Sequence, residues 1–245
     1  MKKAEEYYVS RGAEYFRSRG LSGKTIRRFG LGYSDGGLLS VIDKKDAVEA
    51  GLAHKGSDTD IFSYRAIIPI RDEEGNVVAF GGRVTGNWLP KYKNSPTTEF
   101  YKKSQILFGE DSADYSTGTM ILCEGYMDCL TLRDKGIENS AAVLGTALTE
   151  EHVRFLKDRG INKLILLFDT DEPGRCAVER SLAITDGFQT VIPSLKPYKD
   201  PDEALQKKNP GWFLEKISVG DDKDHFLAKR SASALLDVLI RRSSK

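Results

Sequence analysis

The sequence reads EGYMD at 124–128 and DTD at 169–171, and these two stretches decide how this chain of 245 residues is interpreted. Each follows an apolar run, residues 120–123 before the first stretch and residues 164–168 before the second. Short apolar runs without alternation are typical of strands buried in a parallel sheet. Acidic side chains at the ends of such strands point into the crevice where α/β sheets bind ligands. The sequence therefore predicts a ligand site at this edge.

The predicted site is unusually rich in carboxylates. The acidic residues of the two stretches and of the following DPD at 200–202 are Glu124, Asp128, Asp169, Asp171, Asp200 and Asp202. Gathering so many negative charges without a cation would cost several kcal/mol through repulsion and desolvation. Carboxylate oxygens are hard ligands, so Mg²⁺ or Mn²⁺ is the expected occupant.

Overall charge is uninformative, because the net value is only +1. Its distribution is more useful, since residues 11–28 carry six basic residues and one acid, and residues 83–103 carry five and one. Basic stretches together with an acidic metal pocket suit a polyanionic substrate. Solvated helix faces and ordinary surface lysines explain each stretch about equally well.

The three cysteines, Cys123, Cys129 and Cys176, form no Cys-x-x-Cys pair, and only three histidines accompany them. We therefore expect no zinc in this chain and reduced thiols in a cytoplasmic protein. No apolar run approaches the roughly 18 residues of a membrane-spanning helix, so we expect no membrane association.

The first part of the chain predicts an α+β arrangement. Its apolar spacing favours one helix over 4–16, a second capped by Ser22, and a third over 44–50. Two strands, 65–70 and 77–80, are predicted around the turn at 72–76. Gly81 and Gly82 follow, and they indicate a turn or bulge that requires positive φ, a close approach of the backbone to a nucleic-acid phosphate, or both.

Beyond the polar stretch 110–119, strands and helices alternate. Strands are predicted over 120–123, 140–143, 163–168 and 188–192, with helices over 126–135, 149–159 and 173–185. Such alternation predicts a parallel sheet with helices on both faces, and therefore an α/β fold. Helical spacing continues after Glu203, through Phe226, Leu227 and the apolar positions 234, 235, 238 and 239.

Four phrases, EGYMD at 124–128, LGTALT at 144–149, FDTDEPGR at 168–175 and KDPD at 199–202, resemble in order the TOPRIM domain of bacterial DnaG-type primases. RGLS at 19–22, FGGR at 80–83, PKYKNSP at 90–96 and Lys103 are similar to the basic polymerase subdomain of the same family. The resemblance implies three regions. These are a basic α+β subdomain over 1–115, a TOPRIM metal-binding domain over 116–205 and a C-terminal helical segment over 206–245.

The resemblance implies a DNA primase, which makes short RNA primers on a DNA template from ribonucleoside triphosphates during replication. Two or more Mg²⁺ or Mn²⁺ ions would serve this nucleotidyl transfer. Glu124, Asp169 and Asp171 are the expected catalytic and metal-binding residues, with Asp128, Asp200 and Asp202 completing or adjoining the coordination shell. Glu124 could alternatively accept the proton of the attacking hydroxyl as a general base. Asp171 alone could also be a helix cap, since Pro173 follows it.

Residues expected to contact the template or a nucleotide are Arg19, Arg83, Lys91, Tyr92, Asn94, Lys103 and Arg175. Basic side chains would bind phosphates without reading sequence. Tyr92 would stack on a base or be a half-buried tyrosine between loops. Arg175 would reach a triphosphate oxygen or pair with Glu172. Gly145 and Thr146 would present amides to a phosphate or make a tight strand-to-helix connection.

The implied partners are a single-stranded DNA template, ribonucleoside triphosphates and the RNA primer. A replicative helicase and a separate zinc-binding module are further partners that the family suggests. The sequence shows no counterpart of the family's zinc-binding module or helicase-interaction domain, which leaves an excised catalytic core or a compact phage or mobile-element primase as alternatives. Two other functions remain open, a TOPRIM nuclease and a non-catalytic nucleic-acid-binding module of the RecR kind.

Overall fold

A computed structural model of the chain describes residues 1–145 and 147–231. Their backbone contacts divide into two units. The first comprises Met1–Ala113 and Cys129–Glu138. The second comprises Asp114–Asp128 and the described residues from Asn139 onward. The apolar positions predicted at 234, 235, 238 and 239 lie outside the described residues.

The first unit begins with short helices, α1 (Lys2–Ser10), α2 (Glu14–Ser18), α3 (Gly23–Phe29) and α4 (Lys44–Glu49). Ser22 caps α3 by accepting a hydrogen bond from the amide of Thr25, as its position predicts. The single helix predicted over 4–16 is wrong, because the chain breaks it at Gly12. There φ is +92°, a left-handed conformation that ends the first helix and lets the second start in a new direction.

An antiparallel sheet follows in this unit. Its strands are β1 (Gly32–Ser34), β2 (Arg65–Arg71), β3 (Val77–Val84) and β4 (Tyr92–Asn94), paired in the order β1-β2-β3-β4. The alternative of a turn or bulge with positive φ at Gly81 and Gly82 is wrong, since both lie inside β3 without positive φ. Gly82 has a packing role, because a Cβ there would approach the ring of Phe62 to 2.5 Å.

The core of the first unit is aromatic. Tyr8, Phe62 and Phe80 are fully buried, and the ring centroids of Tyr8 and Phe80 are 5.3 Å apart in an edge-to-face arrangement. Aliphatic residues such as Leu38 and Ile67 complete the same cluster. Burial of these side chains, at roughly 25 cal/mol per Å² of apolar surface, anchors α1 on the sheet.

The second unit is built on the predicted α/β alternation. Its strands are β5 (Thr119–Cys123), β6 (Ser140–Ala142), β7 (Lys163–Leu167) and β8 (Gln189–Val191). The helices in this part of the chain are α5 (Tyr126–Asp134), α6 (Glu150–Asp158), α7 (Glu172–Leu182), α8 (Pro201–Lys207) and α9 (Pro210–Ser218). All strand pairs are parallel, in the order β6-β5-β7-β8. The predicted parallel sheet flanked by helices is confirmed.

Strands β5 and β7 are the inner strands of this sheet and are almost completely buried, with Leu122 and Leu164 fully inaccessible. This burial explains their uninterrupted apolar sequences. Thr149 caps α6 through a reciprocal arrangement with His152, which matches the predicted helix start. None of the helices in the described part of the chain combines the length and apolar character that crossing a membrane requires.

Candidate functional site

Glu124 and Asp169 lie side by side at the carboxyl ends of neighbouring strands. Strands β5 and β7 are paired in register, Cys123 opposite Leu167, so the chain leaves both strands at the same edge. The backbone amide of Asp169 donates a hydrogen bond of 2.9 Å to Oε1 of Glu124. This bond fixes the Glu124 carboxylate at the crevice where parallel sheets bind ligands.

Asp171 is the N-cap of α7, as the helix-cap alternative predicts. Its Oδ1 accepts a hydrogen bond of 3.0 Å from the amide of Gly174. Gly174 also allows the helix to approach the strand end closely, because a Cβ there would overlap the carbonyl oxygen of Asp169 and lie 2.8 Å from Oε1 of Glu124. The cap accounts for one oxygen of Asp171 and leaves its metal-binding role as a prediction.

A second group of acids comes from the start of α5 and the start of α8. Asp128 is buried and accepts hydrogen bonds of 3.2 Å from the amides of Gly125 and Asp202. Asp200 caps α8 by accepting a hydrogen bond of 2.8 Å from the amide of Glu203. These backbone contacts hold the acids of the EGYMD and DPD stretches next to each other.

Burial, followed by the charges of neighbouring carboxylates, raises the pKa values of Glu124, Asp128 and Asp200. Burial raises the pKa of Asp128 well above its ordinary value, and the charges of Asp200 and Asp169 add to the effect. The pKa of Glu124 is raised by burial and by the charges of Asp169 and Asp171, against the opposing hydrogen bond from the Asp169 amide. Burial also raises the pKa of Asp200. The site therefore carries the like-charge repulsion expected of a cation-binding pocket.

A lysine supplies the positive charge within this group. Nζ of Lys199 lies 3.0 Å from Oδ2 of Asp169 and 4.0 Å from Oδ2 of Asp200. Among residues 1–145 and 147–231, no three His, Cys, Asp or Glu side chains are arranged so that they could hold one metal ion. Two of the carboxylates, Asp169 and Asp200, lie beside the ammonium group of Lys199. The donor atoms of all six acids are the hard oxygens that Mg²⁺ and Mn²⁺ prefer.

Three candidates of the first unit, Arg83, Tyr92 and Asn94, lie on the hairpin of β3 and β4. Register places Arg83 opposite Tyr92 and Gly81 opposite Asn94, so Arg83, Tyr92 and Asn94 share one face. The hydroxyl of Tyr92 accepts a hydrogen bond of 2.8 Å from Nη1 of Arg83. Tyr92 is half-buried, which agrees with the structural alternative, and base stacking stays a prediction.

The other candidates of this unit are dispersed along its sequence. Lys91 is exposed and precedes β4, while Arg19 is half-buried and follows α2. Lys103 is half-buried, and burial lowers the pKa of its ammonium group. Their phosphate contacts remain predictions.

Arg175 has partners within the second unit. Its Nη2 lies 2.9 Å from Oε2 of Glu172, and its Nη1 donates to the carbonyl oxygen of Thr170. Arg230 also contacts Glu172, and together these contacts lower the pKa of that carboxyl to about 2. The structure therefore contains the pairing of Arg175 with Glu172, and a contact between Arg175 and a triphosphate stays a prediction.

Gly145 serves the strand-to-helix connection. Its φ is +74°, and its amide donates a hydrogen bond of 3.1 Å to the carbonyl oxygen of Glu124. The amide is thus used within the protein, and Thr146 lies outside the described residues.

Two residues of the site were missed by sequence reasoning about individual side chains. Lys199 is part of the KDPD phrase, in which a lone cation beside two acids is a signal for an internal ion pair. Gly174 stands three residues after an N-cap, where most residues fit, so a glycine at that position could have indicated a close backbone approach.

Comparison with known proteins gives matches along most of the chain. Residues 2–114 match the family model described as DNA primase catalytic core, N-terminal domain, and residues 121–205 match a Toprim-like model. The DNA primase of Clostridium acetobutylicum is 39% identical over 222 residues, which cover 85% of this chain and 37% of the relative. The chain thus spans about two fifths of the length of the curated relatives it matches.

Solved structures give the same result. A DNA primase domain from Pseudomonas aeruginosa has a TM-score of 0.84 and 32% identity, covering 93% of this chain and 80% of that one. A DnaG primase catalytic domain bound to single-stranded DNA has a TM-score of 0.82 and 30% identity, covering 94% and 80%.

Proposed function

The chain belongs to the DnaG-type DNA primase family, and we propose that it catalyses DNA-templated synthesis of short RNA primers from ribonucleoside triphosphates. The observation that carries this proposal is the pairing of Glu124 with Asp169 at the carboxyl ends of adjacent parallel strands. Acids from α5, α7 and α8 adjoin this pair, so the site has the anionic character that nucleotidyl transfer with divalent ions requires.

The carboxylates have different roles in this proposal. Glu124, Asp169 and Asp171 would hold Mg²⁺ or Mn²⁺, and Asp128, Asp200 and Asp202 would complete or adjoin the coordination shell. When bound, the ions stabilise the attacking 3′-oxygen and the leaving pyrophosphate. Two features of the structure support the fit, namely the oxygen-only donor set and the cation that Lys199 already places between Asp169 and Asp200.

The alternative role proposed for Glu124 is that of a proton acceptor. Its pKa is raised mainly by burial, and also by the neighbouring Asp169 and Asp171 charges. A carboxylate whose pKa is raised toward the working pH is a better general base than an ordinary glutamate. Glu124 would then accept the proton of the attacking hydroxyl, as an alternative to coordinating an ion.

Template binding belongs to the basic hairpin of the first unit. Arg83 and Lys91 would contact phosphates of single-stranded DNA, giving affinity that is independent of sequence and falls with salt. The single-stranded DNA bound in the similar DnaG catalytic domain supports template binding as such. A replicative helicase and a separate zinc-binding module are the candidate protein partners of the family's longer members.

The experiment that tests the function combines the protein with single-stranded DNA, labelled ribonucleoside triphosphates and Mn²⁺. Template-dependent labelled oligomers are the expected product, and they should disappear when the template is omitted. Cleavage of the template without oligomers would identify a nuclease instead. Binding of the template with neither reaction would identify a non-catalytic module.

A further inference from the structure

The guanidinium group of Arg83 is stacked between two tyrosine rings. Its Cζ lies 5.0 Å from the ring centroid of Tyr92 and 5.3 Å from that of Tyr15. Tyr92 is the cross-strand neighbour of Arg83, whereas Tyr15 comes from α2. Both distances are within the roughly 6 Å range of cation–π attraction. Arg83 is thus held by aromatic faces from two separate elements.

Among the residues that the structure describes, no carboxylate pairs with Arg83, so its charge remains available. In the part of the chain that the structure describes, its one side-chain hydrogen bond goes to the hydroxyl of Tyr92, and its buried Nε has no hydrogen-bond partner. A carboxylate partner would orient the guanidinium but cancel its attraction for a phosphate. Tyrosine faces orient it and leave the charge, and this combination suits a group that must meet an external anion.

Tyr15 also contacts a second basic residue. Its hydroxyl accepts a hydrogen bond of 3.2 Å from Nη1 of Arg19, one helical turn further along the chain. The ring itself packs edge-to-face on Phe16, which is fully buried, with centroids 5.3 Å apart. Phe16 anchors α2 to the core, so Tyr15 presents its ring to Arg83 and its hydroxyl to Arg19 from a fixed position.

We propose that Tyr15 is a positioning residue of the template site, holding the guanidinium groups of Arg83 and Arg19 in the orientation that binds the phosphates of single-stranded DNA. This inference rests on the proposed function, because it assumes that the basic residues bind nucleic acid. Tyr15 acts through the two arginines and contributes little binding of its own. Its removal should therefore weaken binding only where the arginines are present.

The test measures binding of a fluorescein-labelled oligothymidylate by anisotropy at several salt concentrations. Tyr15→Leu should weaken binding about two- to tenfold at low salt, the range expected from losing one cation–π contact. It should also make the salt dependence shallower, by up to the roughly 0.7 logarithmic units per lost phosphate contact on a single strand. Tyr15→Phe keeps the ring and loses only the hydroxyl that Arg19 contacts, so its loss should be smaller.

A double-mutant cycle separates positioning from general damage. In an Arg83→Ala background, the effect of Tyr15→Leu should shrink to the small loss that Tyr15→Phe causes, because the stacked cation is gone. Tyr33→Leu is the matched control, since Tyr33 is a half-buried tyrosine of β1 in the same unit, and it should leave binding unchanged. Thermal unfolding of each variant identifies any that has lost its fold.

The outcomes are distinct. Equal losses from Tyr15→Leu with and without Arg83, or no loss at all, would overturn the positioning role while template binding by the wild-type protein stands. Failure of the wild-type protein to bind the oligonucleotide would overturn the proposed function and this inference with it.

Discussion

Nζ of Lys199 lies 3.0 Å from Oδ2 of Asp169, beside the acidic group that follows β5 and β7 and begins α8. Lys199 also lies 4.0 Å from Asp200, so a single ammonium group serves two of the proposed metal ligands. A divalent ion binding to Asp169 would have to displace this internal cation. Metal binding and the Lys199 ion pair are therefore competing arrangements of the same carboxylates.

This competition predicts that Lys199→Gln binds Mn²⁺ more tightly than the wild-type protein. The lysine is about half exposed, so the Coulomb attraction it supplies is near the solvent limit of roughly 1 kcal/mol, or about fivefold in affinity. Isothermal titration calorimetry with Mn²⁺ measures the difference without requiring catalysis. Lys196→Gln, at an exposed lysine of the same segment, should leave the affinity unchanged. Equal or weaker Mn²⁺ binding by Lys199→Gln would show that its ammonium does not compete.

Substitutions of Asp171 can separate its function as the N-cap of α7 from its proposed function in metal binding. Asparagine retains the acceptor for the Gly174 amide but loses the charge, whereas alanine loses both. We expect both Asp171→Asn and Asp171→Ala to reduce primer synthesis roughly 100-fold or more, since even outer-shell changes at metal sites cost up to about that factor. Only Asp171→Ala should lose about 1 kcal/mol of unfolding free energy in urea. Near wild-type synthesis by Asp171→Asn would reduce Asp171 to a helix cap.

Gly174→Ala should be destabilising even though alanine is the better helix former. The added Cβ would overlap the carbonyl oxygen of Asp169 and press on Oε1 of Glu124 at 2.8 Å. We expect a loss of about 1–3 kcal/mol in urea unfolding, as for other overpacked sites, together with reduced primer synthesis. Gly23→Ala is the control, because its Cβ would meet only the flexible end of Arg27 at 3.3 Å. A Gly174→Ala protein as stable and active as the wild type would contradict this close approach.

The ion pairs of Glu138 with Arg28 and Arg133 predict that this residue stabilises the first unit in a pH-dependent way. Burial tends to raise its pKa, but hydrogen bonds from Arg28 and the fully buried Arg133 outweigh burial and hold the pKa below its ordinary value. A lowered pKa stabilises the fold above the unfolded-state pKa near 4.3, and this stabilisation is lost as pH falls through the folded-state pKa.

Glu138→Gln should therefore cost a few tenths to about 1 kcal/mol at pH 7, a range reduced by solvent screening of this half-exposed carboxylate. The difference from the wild type should shrink toward zero as urea unfolding is repeated below about pH 4. Glu215→Gln, at an exposed position of α9, should show no such trend. A constant difference across this pH range would exclude the ion pair as its source.

Much of the second unit could be predicted from the sequence because its strands are buried on both faces. Residues 120–123 and 164–168 form uninterrupted apolar runs, and the observed β5 and β7 each differ from the predicted strands, 120–123 and 163–168, by one residue. Helix starts were also accessible, since Thr149 and Ser22 have the side chains that cap helices.

Failures of prediction came from glycines and from contacts between distant residues. Gly12 divides one apolar pattern into two helices, and Gly82 remains inside a strand because Phe62 requires the space above it. The approach of Tyr15 to Arg83 joins residues 68 positions apart in the chain, and no local pattern reports such a pairing. The positions of the acids could be predicted, but the ammonium group among them depends on side-chain packing.

Because β5 and β7 are the inner strands of the sheet, the backbone that carries the acidic site should open less often than the edge strands. Both strands are paired on two sides, whereas β6 and β8 have one neighbour each within the described sheet. Fraying of a sheet begins at its margins, so amide hydrogens of 120–123 and 164–167 should exchange with solvent more slowly than those of 189–191. The two strands that precede Glu124 and Asp169 would then stay paired while other parts of the domain open.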